Sequence, residues 1–363
     1  MNIYPVGASK WELDTPVLCL DATALEQNIA RMGEYFSQRP AMLRPHSKTH
    51  KCPTIAWMQL KAGAIGITCA KLGEAEVMAQ AGIGDILIAN QIVGADKIAR
   101  LVNLAAYTEV MVAVDDATNA AELSAAAVAK GVVLRTLIEV DVGMRRCGVA
   151  PGEATLELAR RIITLPGLRF EGIMGYEGHA VMIGDFAERT RVVQEAMAQL
   201  VSTSDTLERA GIGVRIVSAG GSGTHMITGN YPGITEIQAG SYATMDAKYQ
   251  EVGLDFQLAL TVVARVISTT GSSVAIMDAG YKALTTEVGM PRVVRPTGWT
   301  IAKFSEEHAN LRREGGEPLH PGDRVEIVPS HGCTTINLHD AYYVTRNDIV
   351  EGVWPIAGRG RIR

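Results

Sequence analysis

The stretch Arg44-Pro45-His46-Ser47-Lys48-Thr49-His50-Lys51-Cys52-Pro53 holds the residue types of a nucleophilic amine site. Arg44, His46, His50 and Lys51 crowd Lys48 with potential cations, which favours the neutral amine, and a neutral amine can form a Schiff base. Ala41, Met42 and Leu43 lead in as an apolar run, and a helical pattern begins near Pro53. Lys48 is therefore expected where a strand hands over to a helix, the catalytic rim of a β/α barrel. A basic, solvated turn is the plainer alternative.

Five further clusters could carry chemistry. Ser218-Ala219-Gly220-Gly221-Ser222-Gly223-Thr224 and Gln238-Ala239-Gly240-Ser241-Tyr242 are glycine-bearing loops whose backbone N–H groups can converge on an anion. Glu139-Val140-Asp141-Val142-Gly143-Met144-Arg145-Arg146 offers a guanidinium; aimed at a pyridine nitrogen, it would keep that nitrogen unprotonated, because arginine has no acceptor to give. A surface ion pair is the alternative for Arg146. Tyr176-Glu177-Gly178-His179 supplies a ring to stack and a titratable imidazole, with a satisfied structural histidine as the bland reading of His179. In Pro329-Ser330-His331-Gly332-Cys333 the i, i+2 spacing on a strand would aim an imidazole and a thiolate at one point, a pairing that suits zinc and leaves coordination positions open. A lone pair of this kind is by itself more often coincidence.

The elements that must position these groups are legible in the apolar pattern. Counting from Leu43, eight strands are expected: the lead-in to Lys48, then 64–68, 85–89, 110–114, 133–140, 168–175, 215–218 and 236–238. Helices are expected from Pro53 and at 72–81, 94–106, 117–130, 151–164 and 186–210. Continuous apolar strands alternating with helices require a parallel sheet covered on its outer face, and eight of them close a barrel. In such a barrel the glycine loops follow strands seven and eight, where phosphate is commonly bound. Past Gly253 the pattern changes to strands at 257–268, 273–278, 324–328 and 341–345 without a long helix, a β-rich second domain. The strand Val17 to Leu20 precedes a helix that Asp21 can cap, and with the barrel already complete it is expected to join the C-terminal sheet. The domains are thus 22–250 for the barrel, and 1–21 plus 251–363 for the β-rich part bearing the His331–Cys333 pair.

Composition narrows the class. The 363 residues are 47% hydrophobic, enough for a large core, and a net charge of -5 argues against a nucleic-acid partner. Met1 to Lys10 lacks the pattern of a signal peptide, and no stretch approaches the roughly 20 apolar residues of a membrane span, so a cytoplasmic protein without a membrane partner is expected. The five cysteines are odd in number and contain no CxxC pair, which disfavours a disulfide framework.

Together, the lysine in R-P-H-x-K-x-H-K, the arginine in E-V-D-V-G-x-x-R-C-G-V, the glycine loop near 220, Q-A-G-S-Y, the pair Glu307-His308 and P-S-H-x-C-x-T-x-N-L-H-D resemble the D-threonine aldolase and D-serine dehydratase family. The resemblance covers nearly the whole chain. It implies a (β/α)8 barrel of the alanine racemase type with a β-rich C-terminal domain, and a pyridoxal 5'-phosphate (PLP) and divalent-metal-dependent lyase. Its substrate would be a small β-hydroxy-D-amino acid. It implies that Lys48 carries the cofactor and is catalytic, that Arg146 faces the pyridine nitrogen and that Tyr176 supports the ring. Gly221, Ser222, Gly223, Thr224, Gly240, Ser241 and Tyr242 would hold the phosphate, and His331 and Cys333 the metal. Zinc is the expected ion, with manganese or magnesium as alternatives. His179 is the second catalytic candidate, and a homodimer is expected, with Glu307 and His308 near its seam.

Two departures matter. Aldolases of this kind carry His-x-Asp at the metal, whereas this chain has the dehydratases' His-x-Cys; and the aldolase histidine six residues after the tyrosine is Met182 here. Retro-aldol cleavage to glycine and an aldehyde and dehydration to a keto acid and ammonia both remain open. A non-catalytic cofactor carrier and an amino-acid racemase, with Tyr342 or Tyr343 as second base, are the other readings.

Overall fold

A computed structural model describes residues 5–363, so the first four residues of the expected 1–21 segment lie outside the described residues. The chain divides into two compact units. One holds Arg31–Lys48, Ile55–Gly240 and Arg361–Arg363; the other holds the residues up to Ala30, Thr49–Thr54 and Ser241–Gly360.

In chain order, β1 (Val17–Asp21) leads to α1 (Ala22–Ser37), and Asp21 Oδ1 accepts the Ala24 N–H at 2.9 Å as the expected cap. There follow β2 (Met42–Leu43), α2 (Pro53–Lys61), β3 (Ile67–Cys69), α3 (Leu72–Gln80), β4 (Ile86–Gln91), α4 (Ala95–Ala105), β5 (Val110–Val114), α5 (Ala117–Lys130), β6 (Leu134–Glu139), α6 (Glu153–Ile162), β7 (Leu168–Met174), α7 (Phe186–Arg209), β8 (Ile216–Ala219), α8 (His225–Thr228) and β9 (Glu236–Ile237).

The eight strands β2 to β9 pair in parallel in the order β2-β9-β8-β7-β6-β5-β4-β3. The two ends of that path meet: Leu43 O accepts the Ile65 N–H at 2.9 Å, Thr68 N–H bonds Pro45 O at 2.8 Å and Ser47 N–H bonds Thr68 O at 2.7 Å, around a parallel bridge from His46 to Thr68. The ring is closed, and Lys48 is the residue that follows its seam. All five residues of β5 are buried, as strands covered on both faces must be. Between β7 and β8 the backbones approach so closely that a Cβ on Gly172 would lie 2.0 Å from Ile216 O.

Arg44 does not do what its sequence position suggested. It is 2% exposed and its Nε bonds Glu236 at 3.1 and 3.2 Å, while Nη1 and Nη2 bond Asp85 O and Oδ2 at 2.7 and 3.2 Å. Two carboxylates neutralise it, since an unpaired guanidinium could not be buried.

The β unit contains α9 (Ala247–Glu251), β10 (Leu260–Thr270), β11 (Val274–Met277), β12 (Arg292–Arg295), β13 (Trp299–Phe304), β14 (Ala309–Arg313), β15 (Arg324–Val328), α10 (Gly332–Ile336), β16 (Ala341–Arg346) and β17 (Ile349–Pro355). Its sheet runs β13-β14-β11-β10-β1-β16-β17, with β15 on β10 and β12 on β15. As expected, β1 belongs here, antiparallel to β10 and parallel to β16. The expectations omitted β12 and β14, whose charged, half-exposed residues give little apolar contrast, and also β13 and β17, which are mostly apolar in sequence.

Candidate active site

In the barrel unit, Lys48, Tyr176 and Arg146 come together. The Lys48 ammonium nitrogen lies 5.6 Å from the Tyr176 ring centroid and Arg146 Cζ lies 5.7 Å from it, both within reach of a cation–π contact. Lys48 is half-buried between β2 and α2 and Tyr176 follows β7. Arg146 follows the left-handed Arg145 (φ 54) and is 48% exposed, 3.7 Å from the buried Glu139. Burial pushes the Glu139 carboxyl above its usual range, and bonds from Gln91 and Arg146 pull the other way. Gln91 Nε2 donates to Glu139 at 2.6 Å and to Asp115 at 3.1 Å, and Asp115 accepts the Gly148 N–H, so both ends of the arginine loop are tied to β4 and β5.

The groups expected to crowd Lys48 each have partners of their own. Arg44 is neutralised, His46 Nδ1 accepts the Lys48 N–H at 3.4 Å, and His50 Nδ1 accepts the Cys52 N–H at 3.1 Å. His179 is exposed, its ring lying 3.1 Å from where a Cβ of Gly143 would be.

The loop after β8 is built for close approach. A Cβ on Gly223 would fall 2.2 Å from Val181 O, and one on Gly221 would fall 3.3 Å from the Tyr176 ring. Ser222 and Thr224 are buried; Thr224 Oγ1 accepts the Gly221 N–H at 3.1 Å and donates to Glu177 at 2.6 Å. Gln238 Nε2 donates to Ser218 Oγ at 2.8 Å, tying the two glycine loops together ahead of the buried Gly240. Lysine amine, tyrosine ring, guanidinium and a close-packed glycine loop are groups that suit a phosphorylated aromatic aldehyde, and this donor set fits PLP.

The β unit holds the other cluster. His331 and Cys333 converge, but the strand expected to aim them is absent: His331 is the extended N-cap (φ -139, ψ 135) of α10 and Cys333 lies in its first turn. Asp246 makes the turn. Its Oδ2 accepts the Gly332 N–H at 3.0 Å and bonds His331 Nδ1 at 2.8 Å, while Oδ1 accepts the Tyr249 N–H at 2.9 Å. Burial disfavours the His331 cation, yet Cys333 and Asp246 outweigh it and the imidazole is pushed up to about 11. Cys333 Sγ lies 3.3 Å from Thr49 Oγ1 and 3.9 Å from Ser241 Oγ.

With Nδ1 held by a carboxylate, His331 has Nε2 to give to a metal, the usual carboxylate–histidine arrangement of metal sites, and Cys333 adds a soft thiolate. Among the described residues there is no group of three or more His, Cys, Asp or Glu that could hold a metal. Sequence reasoning gave Asp246 and Glu177 no role, since neither has a local spacing signal.

Tyr242 is fully buried with its ring 5.7 Å from Phe256. Tyr342 is buried, donates to His50 O at 2.8 Å, and has its phenol pushed well above its usual value by burial, while Tyr343 packs on the cluster of Leu13, Val17, Cys19, Val263 and Val350.

Known proteins resemble this chain over most of its length. A model for the alanine racemase N-terminal domain matches residues 20–248 and a serine dehydratase domain model matches 259–345. A D-threonine aldolase from Arthrobacter sp. is 38% identical over 96% of this chain and 93% of its own. Among solved structures, a D-threonine aldolase from Filomicrobium marinum superposes with TM-score 0.96 at 35% identity, covering 99% of both chains. A D-threo-3-hydroxyaspartate dehydratase from Delftia sp. HT23 gives 0.89 at 27% identity, over 96% of this chain and 98% of that one. No helix among the described residues is long and apolar enough to cross a membrane.

Proposed function

Because the chain belongs to the alanine racemase N-terminal domain family and to the same family as D-threonine aldolase, we propose that it is a PLP- and divalent-metal-dependent lyase of β-hydroxy-D-amino acids, cleaving them to glycine and an aldehyde. The observation that carries this reading is the joint approach of Lys48 and Arg146 to the Tyr176 ring beside a loop whose Gly223 has no room for a side chain. When bound, the cofactor supplies an electron sink for charge at Cα and the cation a Lewis acid for a β-oxygen.

The chain's own residues do the rest. Lys48 holds the cofactor through its amine, and Tyr176 supports the ring. Arg146 can only donate, so a ring nitrogen facing it stays unprotonated. The loops with Gly221, Ser222, Gly223, Thr224, Gly240, Ser241 and Tyr242 hold the phosphate. His331 and Cys333 hold the cation, with Asp246 fixing the imidazole tautomer. His179, exposed and titratable, is the side chain we assign to moving the proton of the β-hydroxyl.

The His331-x-Cys333 pair favours a second reading, dehydration to a keto acid and ammonia, because aspartate would have been the aldolase ligand. Incubation with D-threonine, D-phenylserine, D-serine and D-3-hydroxyaspartate separates the two. Glycine plus aldehyde is the expected product; keto acid plus ammonia from D-serine would establish the dehydratase. The proposal extends to zinc as the ion, with manganese or magnesium as alternatives, and to a cytoplasmic homodimer with Glu307 and His308, both exposed on the turn between β13 and β14, near its seam. Light scattering should give twice the chain mass, and an active species of single-chain mass would remove the dimer.

A further inference from the structure

Glu177 has no solvent exposure, and its carboxylate takes three hydrogen bonds from one short segment. Oε2 accepts the Gly220 N–H at 3.1 Å, and Oε1 accepts the hydroxyls of Thr224 at 2.6 Å and Thr228 at 2.5 Å. Three dipolar donors, none a cation, satisfy it. Thr224 is then locked from both sides, because its Oγ1 accepts the Gly221 N–H at 3.1 Å and its own N–H bonds Gly221 O at 3.2 Å. The result is a rigid turn from Gly220 to Thr224, resting on the ring of the residue before Glu177.

A buried negative charge beneath a loop meant for an anion works against binding by repulsion, so its presence calls for an offsetting gain. The gain is geometric. A carboxylate only accepts, and it can face three donors at once; an amide in its place would set its NH2 against the backbone N–H or force the threonine hydroxyls to turn and accept, breaking the present pattern. Holding a loop in its bound shape in advance lowers the ordering cost of binding.

We propose that Glu177 is a positioning residue for phosphate recognition: it presets the Gly220–Thr224 turn for the phosphate of the cofactor, while recognition of the cofactor's ring does not depend on it. This rests on the PLP reading above. The test titrates cofactor-stripped full-length protein with PLP and, separately, with pyridoxal, which lacks the phosphate, following absorbance and protein fluorescence. Glu177→Gln should weaken PLP binding by roughly tenfold to a hundredfold, the loss for a buried charged hydrogen-bond group, and leave pyridoxal binding within about a factor of two. Thr228→Val, which removes one donor, should give a smaller loss with the same selectivity for PLP.

Glu177→Gln protein that binds PLP as tightly as wild type, or that loses PLP and pyridoxal equally, would overturn the proposal, the second result marking the carboxylate as part of the fold alone. If Glu177→Gln does not fold, the same comparison with Thr228→Val decides. Wild-type protein that binds pyridoxal but gains nothing from the phosphate overturns this inference and leaves the functional reading standing, whereas wild-type protein that binds neither overturns both.

Discussion

Lys48→Ala should lose the near-visible absorption of the lysine-bound cofactor, and turnover should fall by roughly a hundredfold to ten-thousandfold, the range for removing a group that moves protons at the reacting centre. The expectation rests on position. Lys48 is the side chain at the end of the closed ring that approaches Tyr176, and it follows three backbone bonds of the seam that fix where it can point. The cationic crowding inferred from neighbouring residue types is not part of the reason, because Arg44 is paired with Glu236 and Asp85. Spectra and steady-state rates of the purified variant check this. Full turnover with the absorption band intact would exclude Lys48 from the chemistry.

Removing the metal should be nearly as damaging. A cation held by the proposed pair His331 and Cys333 has fewer protein ligands than the three or four of closed sites, so chelation should strip it and abolish turnover of β-hydroxy substrates while the cofactor's absorption persists. Adding back zinc or manganese should restore the rate. Cys333→Asp should move preference from zinc toward manganese or magnesium, because a carboxylate is a harder ligand than a thiolate. Asp246→Ala should weaken metal binding by about tenfold to a hundredfold through loss of the His331 orientation. Metal analysis and activity after dialysis against a chelator are the measurements. A metal-free Cys333→Ala protein that keeps its turnover would assign His331 and Cys333 to the fold of the β unit.

Much of this was legible in the chain, for identifiable reasons. The buried parallel strands stand out because both faces are covered, leaving β5 and β6 as largely apolar runs. The separate β1 could be assigned to the second sheet by counting, since eight strands already completed the ring. The strands β12 and β14 are rich in arginine and half-exposed, and their pairing is set by neighbours rather than by their own composition. The His331–Cys333 pair was found for a reason that the structure corrects: convergence comes from a helix's first turn held by Asp246, a residue 85 positions away in sequence. The same distance problem hid the charge state around Lys48. Nothing local to Arg44 reveals Glu236, so long-range ion pairing had to be seen rather than read.

The pairing of β2 with β9, on the side of β2 away from the seam, also dictates an order of events. Arg44 and Glu236 are separated by 192 positions, and β2 has its ladder partner in β9, the last strand of the ring to be made. Contacts between distant parts of a chain form late, because the intervening loop must be closed first. The strand that leads to Lys48 is therefore framed on both sides only after the whole ring has been synthesised and assembled. A nascent chain that ends before β9 would expose the lysine without its frame, and cofactor capture becomes a step that follows barrel closure.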